Sequence, residues 1–388
     1  MQLKRVHIAF LCFAFWQGGC ESLRLGQALI AGDSDWVQEG GSESRTRATD
    51  DLPNPPLVER WHYNGNAGFG HVTPLLVGNH IILATRAGEI HVIDLLSGDK
   101  IGVASIGDAI EGTPVLASSR LLVAPVYGGK YGLVAYDLVK GAREWGIEDA
   151  HHEAGLLLLG DNVVGADEWG VVRMLDVHTG NVHWETEIGS SIGVSATPSL
   201  TESGFILVVD REGVLVLLDP ESGEVISEHD LGLAVLNTPS LARDTAFIPT
   251  TQGVFLALDL ITNEILWTLE AGNPHVRFAA PAVGESTLVV GATDGIVRRL
   301  ALQSGEVLWE QLFDGNISAA PVISESLVFV GTFDRKLAAL DAQTGEVLWE
   351  TELEGRIKSP PVAQDGILVV LSEPKDVVAY VSEQLAER

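Results

Sequence analysis

Six aspartates occupy one fixed place in this 388-residue chain: Asp94, Asp137, Asp176, Asp219, Asp259 and Asp341 each stand four residues before a glycine or, once, an asparagine. Paired carboxylates can do general acid and base work, but only where two of them meet. In a short turn such a carboxylate accepts hydrogen bonds from the turn amides, so each is expected to cap its own hairpin, far from the others. His151-His152-Glu153 has the residue types of a metal site. Adjacent residues on an extended segment point apart, however, and the expectation is a solvated loop. There is no glycine-rich phosphate loop and no nucleophile elbow. Cys12 and Cys20 are the only cysteines, which leaves the body without a disulfide, haem attachment or thiolate metal site. The residues thus point to a chain with no catalytic, cofactor-binding or metal-binding set, and not to an enzyme.

Residues suited to adhesion are easier to find. Trp169 and Phe333 stand at turns where the corresponding positions hold small or polar residues. Exposed aromatics at turns can anchor a protein partner. The stretch from Gly272 to Phe278 is the least regular connecting loop, and His275, Arg277 and Phe278 are its recognition candidates. Trp36, an isolated aromatic in a polar stretch, could be a further contact but is read as incidental.

The elements that must position these residues come from a repeat. Leu337 to Glu350, LAALDAQTGEVLWE, is an apolar run, a turn and a second run, which is a hairpin in which Gly345 can take a left-handed conformation. Related hairpins start at Val92, Ala135, Met174, Leu217, Ala257 and Arg299. Upstream of each hairpin, and again near the chain end, comes a step after a small residue at Pro74, Pro114, Pro198, Pro239, Pro281, Pro321 and Pro361. The steps are 40, 84, 41, 42, 40 and 39 residues apart, the 84 being two periods with a proline missing near Ala154. A period of this length with four short strands per unit is a propeller signature. The eighth unit offers three strands and then the chain ends. Leu57 to His62 has the form of the missing outer strand, with Trp61 in the tryptophan position. The expectation is an all-β protein: an eight-bladed propeller of four-stranded antiparallel blades over 57–388, closed by an N-terminal strand that completes the last blade.

ALDAQTGEVLW resembles the tryptophan-docking repeat of the pyrroloquinoline-quinone-type (PQQ-like) propellers, roughly A-x-D-x-x-T-G-x-x-x-W, and the resemblance covers 57–382. Length, eight units and the start of the chain are most similar to the outer-membrane assembly members of that family. What the resemblance implies is a non-catalytic scaffold that docks on the β-barrel assembly machinery and helps nascent barrel proteins. One departure is that the loops at 190–196 and 233–237 lack the arginine and paired aspartates of the family's docking loops. Two alternatives remain open: a PQQ-dependent quinoprotein oxidoreductase, and a propeller that senses a ligand or polysaccharide through its channel. By resemblance the former would carry catalytic insertions, calcium-binding acids and adjacent cysteines, which do not stand out here.

The ends add a location. Lys4 and Arg5, the apolar run from Ile8 to Trp16 and two glycines form a signal peptide over 1–19. Cys20 after Gly18-Gly19 resembles a lipobox, although Gln17 departs from it, so Cys20 is expected to carry a lipid. Glu21 after it permits, by resemblance, sorting to the outer membrane, which places the body at its periplasmic face. Residues 20–56 are polar and rich in glycine, serine and charge, and are expected to form a flexible tether. A net charge of −29 repels phosphate backbones and anionic lipid, which argues against nucleic acid and leaves the anchor as the membrane contact.

Overall fold

Each repeat of about forty residues holds four runs short enough for strands and turns tight enough to reverse them, so it folds on itself as one antiparallel sheet. The computed structural model describes residues 23–32, 34–107, 109–126, 130–148, 151–189 and 193–386. Within them lie eight four-stranded sheets. Blades 1 to 7 span 75–105, 115–147, 157–187, 199–230, 240–270, 282–312 and 322–352, each in the strand order of the chain. Blade 8 takes three strands from 362–382 and its outermost from Leu57–Asn64. That last pairing is antiparallel, from Leu57 opposite Ser382 to Asn64 opposite Asp376, with a bulge between Glu59 and Trp61. The ring closes as the eighth unit's missing strand requires.

Inner strands are dry on both faces because each blade is covered by its two neighbours. Leu337, Ala338, Ala339 and Leu340 are all buried, whereas the outermost strand Val347–Glu352 alternates between half-buried and exposed positions. Tryptophan joins the blades. The indole N–H of Trp61, Trp145, Trp184, Trp267 and Trp309 donates to the carbonyl of Leu95, Val177, Pro220, Leu302 and Ala342, each in the next blade's hairpin, at 2.9–3.0 Å. The ring lies against the glycine of that hairpin. At Gly345 (φ 74°) a Cβ would stand 2.7 Å from the Trp309 ring, so glycine serves both the turn and the close approach. Trp349 packs edge-on against Tyr380 of blade 8, with centroids 5.6 Å apart.

Two junctions lack the tryptophan: its place in the register is Gly102 in blade 1 and Ser227 in blade 4. Between blades 1 and 2 another segment supplies the contact. Leu23, fully buried, lies over Gly102, and the Leu25 N–H donates to Leu138.

The expected flexible tether over 20–56 is corrected over much of its length. Residues 36–51 run into the hub and close the channel. The innermost strands of a ring have an unpaired edge that needs partners. Leu76 donates to the carbonyl of Trp36, Leu116 to Val37, Leu200 to Glu43, Leu241 to Ser44, Val283 to Thr46 and Ile323 to Arg47, at 2.7–3.1 Å. Leu158 donates to the side-chain oxygen of Gln38, and the Gly366 N–H of blade 8 donates to the carbonyl of Asp51 at 3.2 Å. Every blade therefore holds this segment by at least one hydrogen bond. Arg45 and Arg47 are buried within it, each with a left-handed backbone (φ 60° and 54°). Arg45 donates to the carbonyls of Pro198 (2.7 Å), Leu156 (3.2 Å) and Glu39 (2.8 Å), and burial lowers its pKa to about 10, still charged at neutral pH. Trp36, almost fully buried and bridged to Leu76, contacts the chain's own first blade and not a partner.

Candidate functional site

Turn chemistry divides the ring into two faces. On one lie the regular hairpins, where Asp94, Asp137, Asp176, Asp219, Asp259 and Asp341 each accept two backbone N–H bonds from their own turn. Those bonds occupy the carboxylates as caps. The other face carries the turns between second and third strands and the loops that enter each blade.

Trp169 stands on that second face, 53% exposed. Buried Asp167 sets it there by accepting the N–H of Trp169 (3.0 Å) and of Val171 (2.9 Å) while pairing with Arg173 at 2.7 Å. The His151 ring meets the indole edge-on, centroids 5.0 Å apart. The neighbouring residues correct the expected solvated loop. His152 is buried and burial holds its pKa below the usual imidazole value, while Glu153 pairs with Arg211 of the next blade. Three adjacent residues thus point in three directions, and among the described residues no group of three or more His, Cys, Asp or Glu is placed to hold a metal.

The remaining adhesion candidates divide. His275 and Arg277 are exposed on the loop entering blade 6. Phe278 is not: it is 1% exposed, against Phe255 (centroids 5.5 Å apart) and under the Arg298 guanidinium (5.8 Å). An irregular loop can turn one residue outward and the next inward, and Val276 and Phe278 are the inward pair. Phe333 is half-buried because Arg356 and Lys358 lie over its ring, at 4.5 and 5.6 Å. Cys20 lies outside the described residues.

Between the loops the hub opens into a funnel of about 520 Å³. Glu39 and Arg47 line it, paired at 2.8 Å. Thr73, Thr113, Thr197 and Thr238 form the walls, and His71, Glu111, Glu153, Arg277 and Lys358 also line it. Thr197 bonds both Glu39 and the Gly155 N–H, which ties the segment in the hub to the wall. The threonines were visible in the sequence as the residues before the prolines, but Glu39 and Arg47 carried no signal that they reach the hub.

The family profile described as "Outer membrane protein assembly factor BamB" matches residues 58–186, 169–316 and 293–385. Relatives of that name include one from Yersinia pestis, 26% identical over 163 residues, which are 39% of this chain and 42% of the relative. Another, from Bordetella pertussis, is 28% identical over 345 residues, 76% of this chain and 88% of the relative. For the first five relatives the matched part spans about a third to a little over half of their length. Among solved structures, BamB from Moraxella catarrhalis superposes with a TM-score of 0.68 at 18% identity, over 84% of this chain and 99% of that one. A europium-containing methanol dehydrogenase gives 0.71 at 13% identity, over 90% and 98%. Likeness at such identities shows the fold alone.

Proposed function

The chain belongs to the family of the outer membrane protein assembly factor BamB, and from that membership we propose that it is a non-catalytic envelope scaffold that takes part in assembling outer-membrane β-barrel proteins. The family match from 58 to 385 carries the reading. In this proposal Cys20 bears a lipid, the ring sits on the periplasmic side of the outer membrane, and the face with Trp169, His275 and Arg277 meets the β-barrel assembly machinery or nascent barrel proteins. A rigid ring suits that task because docking then orders few side chains. Trp169 is its aromatic anchor, held outward by a turn that would not rearrange on binding.

Affinity purification of the tagged, lipidated chain from solubilised envelopes tests this. A component of the barrel assembly machinery should co-elute, and the yield of that component should fall severalfold with Trp169→Ser. Purification with no such component would sink the proposal. The quinoprotein alternative rests on shared fold alone, and absorbance of the purified chain with added quinone and calcium checks it directly. The ligand-sensing alternative draws support from the funnel, and its test is a thermal shift on addition of soluble polysaccharide.

A further inference from the structure

Charge is unevenly spread round the rim. From the hairpin aspartate position to the end of the outermost strand, blades 3 to 7 hold 17 aspartates and glutamates and no lysine or arginine. The same segments of blades 1 and 2, with the closing strand of blade 8, hold Lys100, Lys140, Arg143 and Arg60 beside five acids. All four bases are exposed. The N-terminal segment reaches the body on this arc. Leu23 donates to the Val103 carbonyl at 3.0 Å, Leu25 donates to Leu138 at 2.7 Å, and the Tyr136 hydroxyl donates to Leu23 at 3.0 Å. Exposed Arg24 sits between the two leucines, and Ile30 on the same segment is 89% exposed.

We infer that the ring stands edge-on to an anionic lipid surface, with the arc of blades 8, 1 and 2 toward the headgroups. The inference rests on the lipid proposed for Cys20. Three residue steps lead from that cysteine to Leu23, a reach of at most about 11 Å. Such a reach is close to one Debye length, so the anchored rim cannot stand clear of the surface field. A long slack tether would let a chain of this net charge drift away from anionic headgroups, but the bonds of Leu23 and Leu25 remove the slack. The rim that must approach is the one whose bases offset its acids, and the acidic arc of blades 3 to 7 is turned away. In this pose the face with Trp169 looks sideways along the membrane, open to a partner embedded there.

The test uses the full lipidated chain with one added thiol, Asp99→Cys on blade 1 or Glu264→Cys on blade 5, both exposed positions. Each variant is labelled with a fluorophore and bound to phosphatidylethanolamine and phosphatidylglycerol vesicles that carry a headgroup quencher. Quenching should be several-fold stronger at 99 than at 264. Equal quenching, or stronger quenching at 264, with the protein still floating with the vesicles, overturns the edge-on pose and leaves the anchor standing. Failure to float, the behaviour expected of Cys20→Ala, overturns the anchor and the pose together. Combining Arg24→Glu, Lys100→Glu and Lys140→Glu should shrink the difference without abolishing flotation; an unchanged difference would overturn the electrostatic basis of the pose.

Discussion

The backbone N–H of Leu25 donates to the carbonyl of Leu138 at 2.7 Å, the acceptor that an indole N–H takes at five other junctions. Leu23 beside it fills the space that Gly102 leaves. A stretch outside the repeat has thus taken over the joint of two blades. Leu23→Ala should cost about 2–4 kcal/mol, the range for a buried leucine whose cavity cannot fully collapse, read from the urea midpoint of the whole chain.

Between blades 4 and 5 the tryptophan is replaced by Ser227 and the landing glycine by Asn263, which keeps a positive φ of 58°. At Gly223 and Gly305 a Cβ would come 2.5 Å from the docked ring, so an asparagine excludes the tryptophan. Ser227→Trp alone should destabilise by about 1–3 kcal/mol through overpacking. Paired with Asn263→Gly it should stabilise, giving a coupling of about 1 kcal/mol or more in a double-mutant cycle.

Arg45 satisfies carbonyls of three separate segments from inside the hub. Arg45→Met leaves those carbonyls without a donor and should cost about 3 kcal/mol or more. Hydrogen exchange separates a local from a global effect: the amides of Leu200, Leu241 and Val283, which hold the segment in place, should exchange faster under conditions where mid-blade amides keep their protection.

Burial lowers the pKa of His91 and His152 below the usual 6.5. In the window beneath that value the unfolded chain binds protons that the folded chain refuses, so stability is present above it and is lost as pH falls through it. The urea midpoint should drop between about pH 7 and 5, and drop less in His152→Gln. The hairpin caps act lower. Asp219 and Asp341 are held below 3.8 by turn N–H groups and hydroxyls, so their contribution is lost only as pH falls further.

The ring was legible because its chemistry is local and repeated. Asp341, Gly345 and Trp309 declare one joint, and an eighth unit short of its outer strand, with Trp61 in a spare run of that form, declared the closure. Residues 36–51 were not legible. Their glycines, serines and charges read as a linker, and their partners lie in all eight blades at separations that leave no periodic trace. A weak trace existed at the first joint, where Gly102 replaces the tryptophan while Gly141 keeps the landing place, so another segment had to fill it. Trp169 stood outward as its turn position suggested. Phe278 did not, because irregularity of a loop says nothing about which of its side chains turn inward.

The strand Leu57–Asn64 pairs with Asp376–Ser382, the last strand among the described residues. What is made early must therefore wait for what is made more than three hundred residues later. Until then a nascent chain shows the raw edge of its eighth sheet, and contacts spanning over three hundred residues close slowly. A chain cut short anywhere before residue 376 would lack the seam altogether, so the ring is expected to need a holding chaperone until the seam can form.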